Sequence, residues 1–107
     1  MWKYRNDRVQ EENEMKYAFL VMGSYDSAAD RAEIQNGATR IIGVSSVEEA
    51  CEIARTLQAE GVACIELCGA FGEEGARRVI DATGGTLAVG YVVHFPEQDG
   101  LFKAVFG

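Results

Sequence analysis

Four short apolar runs are spaced along the chain, each ended by turn residues. Residues 17–22 (YAFLVM) form a continuous run that stops at Gly23-Ser24, as expected for a strand buried on both faces. Residues 39–44 (TRIIGV) form a second, 62–68 (VACIELC) a third and 87–95 a fourth, closed by Pro96, the only proline. Between the second and third runs the period changes. Val47, Ala50, Cys51, Ala54 and Leu57 fall on one helical face, behind Ser46-Val47-Glu48-Glu49, a capping box. Gly61 ends that helix. A second helix opens near Gly72 and buries Ala76, Val79, Ile80 and Thr83, with Gly84-Gly85 closing it. Its Glu73–Arg77 and Glu74–Arg78 pairs are spaced i,i+4, acid first.

The segment between the first two runs is the least patterned. Ser27-Ala28-Ala29-Asp30 reads as the start of a short helix with a thin apolar stripe, and Asn36-Gly37 as its stop. Leu101, Phe102, Val105 and Phe106 near the C-terminus have the spacing of one or two helical turns packed on something. The pattern β-α-β-α-β-α-β predicts an α/β fold. It would be a small, mostly parallel four-stranded sheet with helices on its faces, flavodoxin-like or half-Rossmann. A ferredoxin-like α+β fold is the alternative if the first helix is only a loop.

Length and charge narrow the function. The 107 residues make one domain. Residues 1–14 carry seven charges without periodicity and read as a polar extension before a single domain at 15–107. The formal net charge of −7 supplies no clustered Lys/Arg footprint for phosphate contacts, which argues against a nucleic-acid partner, and no basic face for anionic membranes. No apolar run approaches the roughly 20 residues of a spanning helix, and the charged N-terminus lacks a signal peptide's apolar centre. Cys51, Cys64 and Cys68, an odd number in apolar surroundings, fit reduced thiols and a cytoplasmic setting. Metal ligation finds one His and no CxxC pair, so neither metal nor cofactor is expected.

Candidate chemistry gathers where the third strand runs into residues 69–75 (GAFGEEG). A glycine-punctuated strand-to-helix turn can present backbone amides to a ligand. Its spacing, however, is neither a dinucleotide fingerprint nor a P-loop, and Glu73-Glu74 already satisfy the helix dipole. Period-two alternation sets Cys64, Glu66 and Cys68 on one side of the strand. Glu66 is the odd residue, a carboxylate in an apolar run that needs a partner such as Arg40, exposure, or a polar cleft. Ser45 and Ser46 end the second strand near the same edge, and His94 ends the fourth. A catalytic reading makes Cys68 a nucleophile, His94 its base and Glu66 a proton carrier or anchor. A binding reading places a ligand against Ser45, Ser46, Gly69 and Gly72. The bland reading leaves Cys68 a small core thiol and the turn merely tight.

The segments KYAFLVMG, IIGVSSVEEACEIA, IELCGAFGEEGARRVIDATGG and VGYVVH, across about residues 15–96, resemble a family of short bacterial and archaeal proteins carrying a domain of unknown function. The likeness is most specific in ELCGAFGEEGA. It implies a self-contained small domain and no particular activity. The expected function is a small-molecule-binding or regulatory module acting as a homo-oligomer. The alternatives are a small hydrolase, lyase or isomerase working on a carbonyl or carboxylate substrate, and a structural subunit of a larger complex.

Overall fold

The computed structural model describes residues 15–107; the polar extension expected at 1–14 lies outside them. Five strands, β1 (Lys16–Met22), β2 (Arg31–Ile34), β3 (Thr39–Val44), β4 (Val62–Leu67) and β5 (Ala88–Tyr91), form one sheet in the order β2-β3-β1-β4-β5. β3, β1, β4 and β5 are parallel, and β2 runs antiparallel to β3 at one edge. Three helices follow the pattern of the chain: α1 (Val47–Ala59), α2 (Gly72–Ala82) and α3 (Asp99–Phe106).

The sheet is mostly parallel, as expected, but it has five strands where four were expected, and the difference lies between β1 and β3. Ser27–Asp30 makes only a turn. The Asp26 carbonyl accepts from Ala29 and Asp30, the Asp26 carboxylate accepts from the Ala28 amide, and the Asp30 carboxylate accepts from the Asp26 amide. Two short acids competing for local amides end the helix before it propagates. The next residues, Arg-Ala-Glu-Ile, alternate with period two and form β2. Asn36-Gly37 is a hairpin turn rather than a helix stop: Gln35, Asn36 and Gly37 all have positive φ, at 56°, 56° and 90°. Asn-Gly between extended segments is a strong hairpin signal. All four β2 residues are exposed, and Arg31 and Glu33 keep this edge charged.

The crossovers β3-α1-β4 and β4-α2-β5 advance in the same direction across the sheet, so right-handed connections put both long helices on the same side. Ala18 and Leu20 of β1, Ile42 and Val44 of β3, and Ile65 and Leu67 of β4 meet Ala50, Ala54 and Leu57 of α1 and Ala76 and Val79 of α2. Leu20, Val44, Ile65 and Leu67 are wholly buried, each contributing at most about 1.5–3 kcal/mol. Gln58 ties α1 to the end of α2 by donating to the Thr83 carbonyl at 3.0 Å. Arg77 pairs with Glu73 as the spacing predicts, whereas Arg78 reaches across to Glu48 of α1 at 3.2 Å instead of to Glu74.

The other side of the sheet has no helix on it among the described residues. Two cross-strand rows cover it: Ala32, Ile41, Phe19, Glu66 and Gly90, and Ile34, Thr39, Tyr17, Cys64 and Ala88. Tyr25 lies over Gly43, where an added Cβ would come within 2.6 Å of its ring.

The capping box at α1 is more than local. Ser46 Oγ accepts from the Glu49 amide at 3.0 Å. The Glu49 carboxylate reaches back to the Ser45 amide at 2.7 Å and also accepts from the Ser27 hydroxyl at 2.8 Å, anchoring the β1–β2 loop. These bonds, the Ser45 amide first, hold Glu49 below the usual carboxylate range. Its stabilising contribution is therefore complete above that range and is lost as pH falls through the lowered value. In thermal unfolding at neutral pH, Ser46→Ala costs about 1 kcal/mol, and Glu49→Gln removes part of the acid-side loss of stability seen in the parent.

Candidate functional site

A cleft of about 800 Å³ opens at the carboxyl ends of the central strands. Its floor is the end of β1 (Val21, Met22) beside the end of β4 (Cys68, Gly69). Tyr91 and Val92 extend it along β5, Tyr25 forms one wall, and α3 closes the far side with Phe102, Lys103 and Phe106. The position follows from the topology. The chain leaves β1 toward β3 and leaves β4 toward β5, so the two neighbouring strand ends diverge. Such a switch point is where open α/β sheets hold ligands.

The turn after β4 is built for close approach. Cys68 continues the ladder by donating its amide to the Leu20 carbonyl at 3.0 Å, and its Sγ accepts from the Met22 amide at 3.3 Å. Gly69–Phe71 then makes one 3₁₀ turn that runs into α2 through Gly72, at φ 66°. Phe71 turns inward and is buried. No side chain caps the start of α2, and Gly72, the α2 residue on the cleft wall, donates its amide to the Gly69 carbonyl.

The His94 ring is fixed from two directions. It lies flat on Phe102, with centroids 3.9 Å apart and planes 8° from parallel, and its Nε2 is 2.7 Å from Asp99 Oδ1. Apart from this His–Asp pair, Lys103 and the thiol, the walls are mainly apolar.

The structure gathers Cys68, Gly69, Gly72 and His94 around this one cleft. No hydrogen bond joins Cys68 to His94 among the described residues; Cys68 Sγ meets Met22 and His94 meets Asp99. Ser45 and Ser46 stand at the end of β3 with their hydroxyls engaged at Glu49, outside the cleft lining. Glu66 is also outside it, on the open sheet face between Phe19 and Gly90. Arg40 is not its partner: it bonds Glu60 and the Gly37 carbonyl. A Cβ at position 90 would stand 2.7 Å from Glu66 Oε1, so the glycine makes room for the carboxylate. Tyr25, Asp99 and Phe102 escaped the strand-end reading because α3 and the β1–β2 loop bring them in, and Tyr91, the last residue of β5, was passed over. The signal available for Asp99 was its spacing, five residues after the single histidine.

Residues 15–107 match a family of unknown function, DUF6506. The chain belongs to that family. The match takes in α3 as well as the strands, so every cleft-lining residue falls within the family's span. Comparisons with curated proteins and with solved structures give no significant match. Among the described residues no helix is long and apolar enough to cross a membrane, and no group of three or more His, Cys, Asp or Glu is gathered as a metal would require.

Glu66 sets the electrostatics of the open face. Burial first, and then its negative charge, raise the Cys64 thiol above its ordinary value; the same two causes raise the Tyr17 phenol, with a smaller push from Cys64. Neutralising the carboxylate works the other way. Glu66→Gln therefore lowers the pH at which Tyr17 ionises, read by phenolate absorbance, and speeds alkylation of Cys64 at mildly alkaline pH, read by peptide mass. A Cys64 rate unchanged by the substitution would show that burial alone protects the thiol.

Proposed function

We propose that this chain is a small-molecule-binding module of a homo-oligomeric, cytoplasmic protein, with the strand-end cleft as its site. The observation that carries the reading is a cleft of about 800 Å³ at the switch point of the sheet, within the volume range of small-ligand sites. Its chemistry fits a ligand with an apolar body and one hydrogen-bonding or anionic head. Met22, Val92 and Phe102 supply the apolar walls, while His94 and Lys103 supply polar groups. Glu73 and Glu74, in the first turn of α2, disfavour a multiply charged phosphate there. The three free cysteines suit a reducing compartment, and the net charge of −7 disfavours nucleic acid as the ligand.

One observation favours a second reading. Cys68 and His94 share the cleft, and Asp99 orients the imidazole, which is the base-and-orienter half of a nucleophilic site. In that reading Cys68 attacks a carbonyl carbon of a substrate lying between it and the His94 ring, with Glu66 outside the reaction.

Native mass spectrometry of gently purified protein tests the first reading. The expected result is a stoichiometric small molecule that is lost on denaturation. Phe102→Ala removes one wall and the stacking under His94, and is expected to weaken retention of that molecule at least tenfold. A bare protein that also fails to bind an apolar anionic dye saturably would sink the reading. The catalytic alternative requires that His94→Ala slow alkylation of Cys68 at neutral pH; an equal rate in parent and variant removes it.

A further inference from the structure

Two apolar surfaces of this chain lack a partner among the described residues. One is the open sheet face, where Phe19 and Tyr17 are only half-buried and Ile41 and Ile34 are 42% and 54% exposed. The other is the arm that follows β5. On it Val92, Val93, Phe95, Leu101, Val105 and Phe106 are 47–79% exposed. Val92, Val93 and Phe106 also border the cleft, whereas Phe95, Leu101 and Val105 lie outside its lining.

The charges on the two surfaces are complementary. Glu66 is the charged side chain at the centre of the sheet face, and no hydrogen bond or ion pair holds it among the described residues. The nearby cations are turned elsewhere, Lys16 to the Glu60 carbonyl and Arg40 to the Glu60 carboxylate. On α3 the cation is Lys103, one turn after Asp99 and beside the apolar stripe. It has no ion pair among the described residues. Covering the sheet with an apolar surface alone would strand the Glu66 carboxylate at high cost; covering it with α3 brings a counter-charge.

We propose that a second copy of this chain covers the open face, the α3 of each copy lying across the sheet of the other with Lys103 of one against Glu66 of its partner copy. A two-fold arrangement satisfies both surfaces at once, whereas any other partner would cover one and leave the other exposed. The inference rests on the homo-oligomer half of the reading above, and its surface adjoins the cleft, because Val92, Lys103 and Phe106 border both.

Sedimentation velocity of the full chain, with circular dichroism as the check on folding, tests it by charge complementation. The parent is expected at twice the 11.7 kDa chain mass. Glu66→Lys and Lys103→Glu, each alone, place like charges at both contacts of the dimer and weaken it at least tenfold. Mixing the two variants restores a dimer, because the mixed pair has opposite charges at both contacts; a contact within one chain could not be rescued by mixing. Val105→Asp, at a 74% exposed position, weakens the dimer at least tenfold without unfolding the chain. Variants that dimerise like the parent, or a mixture that stays monomeric, overturn this interface while leaving homo-oligomerisation intact. A monomeric parent overturns both, and a dimer that appears only after deletion of residues 1–14 names that segment as the occupant of the sheet face.

Discussion

The rest of the structure depends on how β1 is joined to β3. In a doubly wound sheet that connection is a helix, and it covers the face opposite the other helices. Here it is a turn and an edge hairpin, held by Asp26 and Asp30 at one end and by the positive-φ residues 35–37 at the other. Both long helices pack on the other face, where the fully buried leucines and isoleucines lie. The second face remains a single layer of side chains. The same connection sends the chain away from β1 in the direction opposite to the exit from β4. That divergence, set by the strand order, places the cleft, while the missing helix accounts for the open face.

The open face is not simply a core side left unfinished. A finished core would exclude a carboxylate, yet Glu66 sits in its central row and Gly90 opens space for it. The glycine has a cost, since a strand glycine loses more freedom on folding than a residue with a side chain, and β5 has only four residues to hold it. A carboxylate beside Phe19, Tyr17 and Cys64 raises the energy of each further charge on this face, which is why the thiol and the phenol both shift upward. The face is therefore apolar with one carboxylate at its centre. Such a surface favours a complementary partner over indiscriminate apolar contact, because an uncharged cover leaves the carboxylate unpaired.

Much of this was legible in the chain. The continuous apolar runs located β1, β3, β4 and the start of β5, and the Ser46–Glu49 box located α1 to the residue. The turn after β4 and His94 marked the cleft, because glycines that follow a strand and a histidine that ends one fall at strand ends in any parallel arrangement. Two things were not legible. Residues 27–34 contain both a helix-like start and a period-two tail, and their fate was decided by pairing with β3, 5–11 residues away, across an Asn36-Gly37 turn that reads equally as a helix stop. The side of β4 on which Glu66 emerges was read correctly, but whether that side faced a cleft, a helix or nothing depended on the same hairpin. Arg40 looked like its partner in the sequence; in the fold it lies at the sheet margin with Glu60.

The seating of α3 is where the fold has least of its own energy to spend. An eight-residue helix is marginal by itself. Its links to the body are the stack of Phe102 on His94 and the His94–Asp99 pair. An aromatic stack and a surface histidine–carboxylate hydrogen bond are small beside the conformational entropy of ordering eight residues. Helical hydrogen bonds offset only part of that. Whatever holds α3 in place must therefore act on its two sides: on the inner side a molecule filling the cleft against Phe102 and Phe106, on the outer side a surface that covers Leu101 and Val105. The cleft and the arm thus belong to one energetic problem, since the helix that completes the site is also the element that most needs an external contact to stay there.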